Sequence, residues 1–361
     1  MKISIVGTRG VPAKYGGFET FAEKLASRLC ENNEVLVVGE LSNKGEIKKV
    51  STINLNFDKS SNPILYYHKS IAKSIEWGAQ KIIVCGVGGI FSVIFFKNKA
   101  EFFINPDGLE FRRKKWSLFK RSVIFVLYIL TSIFGKHIIC DSKAIQKYFS
   151  NVFLRYKNTY VAEYGAVIPK IENEKIDNKK LNNKILTKGS FYLAVARLEP
   201  ENNIKLIIEG YVLSNTKKPL LIIGNRNSTY FIKELSKYSN EMIIFIDGVY
   251  DQSLLSYYRL NCFSHIHGHS VGGTNPSLLE AMAHNSIILS HDNPFNRDTI
   301  GYNFDKLFFK DKKELAKSIS WLEDKNNAKK ILEIKNLMLE RIKTKFNWEI
   351  ITNKYLKILK K

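Results

Sequence analysis

The chain has 361 residues, a formal charge of +22 and 45% hydrophobic content. That length exceeds what one hydrophobic core organises, so two globular domains are expected. A field this positive attracts nucleic acid, anionic lipid or anionic small molecules. The four scattered cysteines, Cys30, Cys85, Cys140 and Cys262, lack the paired spacing of a metal knuckle or a redox couple.

Lys2 to Gly7 reads as a short strand ending in a glycine-rich loop, a pattern that leaves no room for a signal peptide. After Gly16 and Gly17, the residues Phe18, Phe21, Ala22, Leu25, Ala26 and Leu29 repeat at helical spacing. Glu34 to Val38, Ile82 to Cys85, Phe102 to Ile104 and His137 to Cys140 follow as strands. The glycine cluster Gly86-Val87-Gly88-Gly89 reads as a tight turn after a strand. Arg112, Arg113, Lys114, Lys115, Lys120 and Arg121 crowd one short stretch just before the apolar run Ser122 to Phe134. That run is too short to span a bilayer as a helix, and no other stretch is longer and as apolar. Basic residues beside an apolar helix suit a protein lying on the anionic inner leaflet, against the plainer reading of a helix buried in its own domain. Pro169 to Gly189 shifts to Lys, Asn, Glu and Asp and reads as a linker.

Beyond it, Tyr192 to Ala196, Leu220 to Ile223, Met242 to Ile246, Cys262 to Ile266 and Ile287 to Leu289 read as strands separated by helical segments, one of them capped by Asp251. Strand and helix alternate in both halves, which argues two Rossmann-like, doubly wound parallel sheets with ligands at the carboxyl ends of the strands. The expected organisation is residues 1–168 as a first domain, 169–189 as linker and 190–344 as a second domain. A C-terminal helix at 345–361 completes it.

The segment from His267 to Ala283, HGHSVGGTNPSLLEAMA, is the most informative in the chain. Asn275 fits an N-cap and Pro276 the first helical position, just after two glycines that let a ligand approach the backbone. Unpaired N–H groups at such a helix start face an anion, and Glu280 in the second turn can accept hydrogen bonds from ribose hydroxyls. His265, His267 and His269 alternate, but Gly268 argues that the strand ends before the three can share a face, which disfavours a metal site. His265 is expected to be buried and hydrogen-bonded, and His269 to lie near donor phosphates or sugar.

This segment resembles the signature of retaining nucleotide-sugar glycosyltransferases of the GT-B fold, family GT4, in which a second Glu precedes Ala-Met-Ala; that Glu is Glu280. The family's first Glu would fall at Gly272. The Val-Gly-Gly-Thr-Asn-Pro-Ser version is similar to a narrower branch, the rhamnosyltransferase-like proteins of bacterial capsule and cell-wall polysaccharide assembly, which have an N-terminal domain of the DUF1972 type. Three further stretches carry the resemblance: Val6 to Pro12 running on to Tyr15-Gly16-Gly17-Phe18-Glu19-Thr20; Asn105 to Glu110 with Lys115-Trp116; and Ala196 to Asn203. It implies two domains facing across a cleft, with the last helix crossing back onto the first domain.

The resemblance also assigns roles. Arg197 matches the arginine that contacts the diphosphate, a task suited to its planar donor fork. The partner lysine falls at Asn202, and Lys205 one turn on is a candidate substitute. Donor binding falls to Gly16, Gly17, Arg197, His269, Gly272, Gly273, Thr274, Asn275 and Glu280. Acceptor binding falls to Asp107 and Glu110, where Asp107 orients the attacking hydroxyl or, in the plainer reading, forms an Asx-type turn with Gly108. The residues expected to carry the chemistry are Asp107, Arg197 and Glu280. Retention implies front-face attack, with a donor phosphate oxygen taking the acceptor proton. With no Asp-x-Asp in the chain, the reaction is expected to be metal-independent and to use no cofactor. The expected donor is dTDP-L-rhamnose, and the expected acceptor an undecaprenyl-diphosphate-linked saccharide at the cytoplasmic face of the membrane. The alternatives are a hexosyltransferase using a UDP-sugar and an NAD-dependent oxidoreductase. Glu40 after the second strand favours the oxidoreductase, and the incomplete Gly7-Thr8-Arg9-Gly10 fingerprint opposes it. The sequence has no nucleic-acid-binding motif.

Overall fold

The computed structural model describes residues 1–13, 16–40, 47, 49–169, 187–249 and 251–361. Most of the expected linker, residues 170–186, and Tyr15 lie outside them. The described residues form thirteen strands and twelve α-helices in two compact units. Unit 1 comprises residues 1–165, 272–274 and 347–361, and unit 2 comprises 166–271 and 275–346.

In unit 1, β1 (Lys2–Val6), α1 (Gly17–Leu29), β2 (Glu34–Gly39), β3 (Val50–Asn54), α2 (Pro63–Glu76), β4 (Lys81–Cys85), α3 (Ile90–Phe95), β5 (Glu101–Asn105), α4 (Leu118–Phe134), β6 (His137–Cys140), α5 (Lys143–Phe153) and β7 (Thr159–Val161) follow one another. They build a seven-stranded parallel sheet in the order β3-β2-β1-β4-β5-β6-β7. Its core strands are almost wholly Ile, Val and Phe, as burial on both faces requires. Capping side chains fix where helices begin: Asn62 accepts from Leu65 N, Ser117 from Lys120 N and Ser142 from Ile145 N.

In unit 2, β8 (Tyr192–Val195), α6 (Ile204–Ser214), β9 (Leu220–Ile223), β10 (Ile243–Ile246), α7 (Gln252–Asn261), β11 (Ser264–His267), α8 (Pro276–Ala283), β12 (Ile288–His291), α9 (Pro294–Ile300), β13 (Phe308–Phe309), α10 (Lys312–Glu323) and α11 (Ala328–Lys345) follow in turn. The parallel sheet runs β10-β9-β8-β11-β12-β13. The last helix, α12 (Trp348–Leu359), packs on α1 within unit 1. Lys354 Nζ there lies 2.5 Å from Glu163 Oε2, Tyr355 packs on Phe21, and Gly165 leaves room for the Trp348 ring.

Three strands went unread in the sequence. β3 is a half-polar edge strand, and β7 and β13 are only three and two residues long, too short to show alternation. β11 starts two residues later than expected because Cys262 is consumed in closing α7, its N–H donating to Tyr258 O.

Candidate active site

Unit 2 brings a set of polar groups to the carboxyl ends of β8 and β11, which are neighbours in the sheet. Helix α8 starts where its sequence signals place it: Pro276 is its first residue and Asn275 Oδ1 accepts from Ser277 N. Ser277 Oγ donates to Val195 O at 3.1 Å, fastening the first turn of α8 to the end of β8. Arg197, two residues past β8, is about half exposed, with Nη2 3.8 Å from Glu199 Oε2.

Asn202, in place of the expected lysine, works as a clamp. Its amide donates to Arg197 O at 2.7 Å, which turns Oδ1 toward His269 Nδ1 at 2.6 Å. His269 Nδ1 therefore carries a proton. Asn293 and Asn296 both donate to His269 O, so the loop after β11 is held at side chain and backbone together. Lys205 pairs with Glu234 at 3.9 Å on the helix that follows.

Glu280 faces outward from α8, its side chain one-third exposed, and its Oε2 is 2.5 Å from Nη2 of the buried Arg259. Burial lowers the Arg259 guanidinium, and the Glu280 charge opposes that shift. Behind this pair, His265 and His267 stack along β11 with ring centroids 6.3 Å apart, and His267 lies 6.1 Å from His269. His265 is buried as expected, but neither of its ring nitrogens has a side-chain partner among the described residues. Desolvation pushes it well below the usual imidazole range and takes His267 to about 3 and His284 to about 4. Among the described residues, no group of three or more His, Cys, Asp or Glu side chains is placed to hold a metal ion.

Gly272, Gly273 and Thr274 group with unit 1. Thr274 Oγ1 donates to Asp141 O at 2.5 Å, and a β-carbon on Gly273 would sit 1.8 Å from Asp141 Oδ1. Gly272 has φ +145°, a conformation L side chains rarely adopt, so its backbone disfavours the carboxylate that the family resemblance leads one to expect there.

The same unit places Asp107 just beyond β5 in the left-handed region, φ +65°. The turn there is held by Asn105, whose Oδ1 accepts from Asp107 N at 2.9 Å, and by Tyr128, whose hydroxyl donates to Pro106 O at 2.8 Å. Asn105 thus supplies an Asx contact that holds this turn. Asp141 occupies the equivalent position after β6; burial first, then the charge of Asp107, raises its carboxyl well above the usual range. Asp141 and Asn105 were missed in the sequence, although "first polar residue after a strand" would have found Asp141. Nothing in the sequence pointed to Arg259.

Gly16 is the uncapped N-cap of α1, next to the exposed Gly17. Glu19 in the first turn of that helix accepts from Arg9 N at 2.8 Å. The Gly86–Gly89 cluster serves packing: β-carbons at Gly86, Gly88 and Gly89 would each come within 3 Å of Tyr67. Glu110 is engaged locally, with Oε1 2.6 Å from Arg113 Nε and Oε2 accepting from Trp116 Nε1 at 3.3 Å.

The basic cluster divides. Arg113 is buried and Arg121 donates to Phe111 O at 2.7 Å, whereas Arg112, Lys114 and Lys120 are exposed. Arg112 lies 4.9 Å from the Tyr148 ring, and Lys115 and Lys120 lie over Trp116 at 4.8 and 3.5 Å. Helix α4 is not a buried helix of its domain, since Leu118, Phe119, Val123, Val126, Ile133 and Phe134 are all exposed. Among the described residues, no helix is long and apolar enough to cross a membrane.

Comparisons with known proteins agree with this architecture. Residues 1–167 match the model of a domain of unknown function, DUF1972, and residues 175–336 match Glycosyl transferases group 1. No curated protein sequence matches. Among solved structures, sucrose-phosphate synthase from Thermosynechococcus elongatus is similar at 14% identity and TM-score 0.82, over 99% of this chain and 98% of that one. HepE of Anabaena in complex with UDP-glucose is similar at 16% identity and TM-score 0.78, over 100% and 99%. A glycosyltransferase from Rickettsia africae gives 15% identity and TM-score 0.72, over 99% and 97%. The chain is thus built as a glycosyltransferase of the GT-B fold, a DUF1972 domain followed by a glycosyl transferases group 1 domain.

Proposed function

We propose that the protein transfers a sugar, with retention, from a nucleoside-diphosphate sugar held by unit 2 to a lipid-linked saccharide. The observation that carries this reading is the set of groups at the carboxyl ends of β8 and β11: Arg197, the Asn202–His269 clamp and the capped start of α8 with Glu280 in its second turn. Arg197 and the helix N-terminus supply the positive charge that a departing diphosphate needs, and Glu280 accepts from the pentose. In the transfer, the bond from the anomeric carbon to the diphosphate breaks and the acceptor oxygen bonds to that carbon. A diphosphate oxygen takes the acceptor proton, and Asp107 orients the acceptor hydroxyl.

The donor proposed is dTDP-L-rhamnose, with addition to an undecaprenyl-diphosphate-linked sugar, on the strength of the Val-Gly-Gly-Thr-Asn-Pro-Ser motif. A UDP-hexose donor is the second reading, favoured by the similarity to HepE, which was solved with UDP-glucose. No metal or cofactor takes part in either reading. The exposed apolar face of α4, flanked by Arg112, Lys114, Lys115 and Lys120, supports peripheral attachment to the inner face of the cytoplasmic membrane. The test is incubation of the purified protein with lipid-diphosphate glucose and, separately, dTDP-L-rhamnose, UDP-glucose, UDP-galactose and UDP-N-acetylglucosamine, followed by mass spectrometry of the lipid. A deoxyhexose added only from the dTDP donor supports the first reading. Addition from a UDP-sugar selects the second, and no addition from any donor overturns both.

A further inference from the structure

Arg259 is a charged side chain in an expensive place. Only 2% of it is exposed, and the carboxylate it pairs with among the described residues is that of Glu280. Its backbone is fixed as well, since Arg259 O accepts from Ser286 Oγ at 2.7 Å and from Cys262 Sγ at 3.3 Å. The imidazoles of His265 and His284 nearby are held neutral by burial and add no second positive charge beside the guanidinium. A buried ion pair is weak evidence for stability alone, because apolar residues of similar size serve that purpose as well or better. Here the pair has an asymmetry that stability does not require: the cation is sealed in the core while the carboxylate faces out.

Helix α8 is only eight residues long, and it is pinned at both ends. Ser277 Oγ bonds Val195 O at its start, and His284 Nδ1 donates to Glu280 O at 2.6 Å at its finish. The backbone of Glu280 is thereby fixed, and the remaining freedom is that of three side-chain torsions. Arg259 removes it by gripping Oε2 of the one-third exposed side chain, which leaves Oε1 to accept from a ligand. We infer that Arg259 is a positioning residue, reaching from α7 beneath α8 to hold the Glu280 carboxylate in the orientation that accepts a hydrogen bond from a pentose hydroxyl of the nucleotide.

This inference rests on the proposed donor site, and the experiment separates the two. Calorimetric titration of the full-length protein compares dTDP with 2′,3′-dideoxythymidine diphosphate, which lacks the 3′-hydroxyl, and UDP with 2′,3′-dideoxyuridine diphosphate. The wild-type protein is expected to prefer the hydroxyl-bearing nucleotide of one pair by about tenfold, the size of one charge-assisted hydrogen bond. Glu280→Gln should reduce that preference to about threefold or less, and Arg259→Met should do the same while the affinity for the dideoxy nucleotide stays unchanged. A merely structural role for Arg259 would lower the melting temperature and leave the preference of the folded protein intact. If Glu280→Gln keeps the full preference, the donor-site reading of Glu280 fails and this inference fails with it. If Glu280→Gln loses the preference while folded Arg259→Met keeps it, the donor-site reading stands and the inference is overturned. Should Arg259→Met not fold, Arg259→Lys decides, because an ammonium lacks the planar fork. An unchanged preference there overturns the inference, and a loss of about threefold or more supports it.

Discussion

The carboxyl ends of the two sheets share a geometry and differ in chemistry. In unit 1 that edge gathers Asp107, Asp141 and Glu163 with the phenols of Tyr164 and Tyr355, and burial together with neighbouring acids pushes both phenols well above their ordinary range. In unit 2 it gathers Arg197, His269, Asn202 and a helix N-terminus, with Glu280 backed by a buried guanidinium. Carboxyl groups and phenols suit hydroxyl-bearing, uncharged ligands, while a guanidinium and orphan N–H groups suit an anion. Two parallel sheets of like design thus differ in the few residues that follow each strand, which is why a fold on its own does not name a substrate.

The largest expected effect lies outside both edges and would show that unit 1 carries the membrane contact. Replacing Arg112, Lys114, Lys115 and Lys120 by serine, with the buried Arg113 kept, should weaken binding to phosphatidylglycerol vesicles by on the order of a hundredfold, since each basic residue at an anionic surface contributes about 1 kcal/mol and not all four reach it equally. Cosedimentation at two salt concentrations measures it; unaltered, salt-sensitive binding would assign the contact to another part of the surface. Next, Glu280→Ala and Arg197→Ala should each lower turnover at least about tenfold with melting temperature retained, a loss of about 1.4 kcal/mol or more in transition-state stabilisation. Normal activity in either variant removes that residue from the site.

A comparable but opposite pattern is expected for Asp107→Asn. Its acceptor KM should rise several-fold while nucleotide affinity, measured by titration, stays put. A change in nucleotide affinity instead would break the division of labour between the two edges.

A further effect is on stability against pH. His267 and His284 have folded-state values of about 3 and 4, and His265 and His291 are lowered too, so the folded unit 2 resists protonation that the unfolded chain accepts below about 6.5. Their contribution is fully present above that value and is lost as pH falls toward 4. In unit 1, the lowered His137 acts in the same direction, while the raised Asp141 carboxyl works against it by favouring the folded state as pH falls. Glu101, held at about 2 by Lys136 and Lys81, begins to cost stability only below about 4.5. Acidification from pH 7.5 to 5 should therefore loosen unit 2 first. Hydrogen exchange, corrected for intrinsic rate, would show β11 and α8 losing protection before β4 and β5, and equal loss in both sheets would refute the difference.

Much of this was legible in the chain. The apolar runs at β1, β4, β5, β6, β8 and β9 showed themselves because strands buried on both faces must be continuous hydrophobic stretches. The start of α8 could be read to the residue, because Asn275 and Pro276 are local signals with a local cause. The edge strands β3, β7 and β13 could not, being half-polar or too short for a period to emerge. Gly86 to Gly89 read correctly as a turn, yet the purpose of those glycines depends on Tyr67, a residue of another helix.

The sequence by itself determined the alternation of strands and helices, the capped helix start after two glycines, and the basic cluster beside an apolar run, since each depends on residues a few positions apart. Tertiary structure decided which of those residues remain outward-facing. It buried Arg113 and left the apolar face of α4 exposed, gave Gly272 a backbone that disfavours a carboxylate, and made Asn202 a clamp on His269. It also brought Arg259 against Glu280 across twenty-one positions of chain. Pairings of that kind are set by how helices pack on a sheet, and no local pattern of residues encodes them.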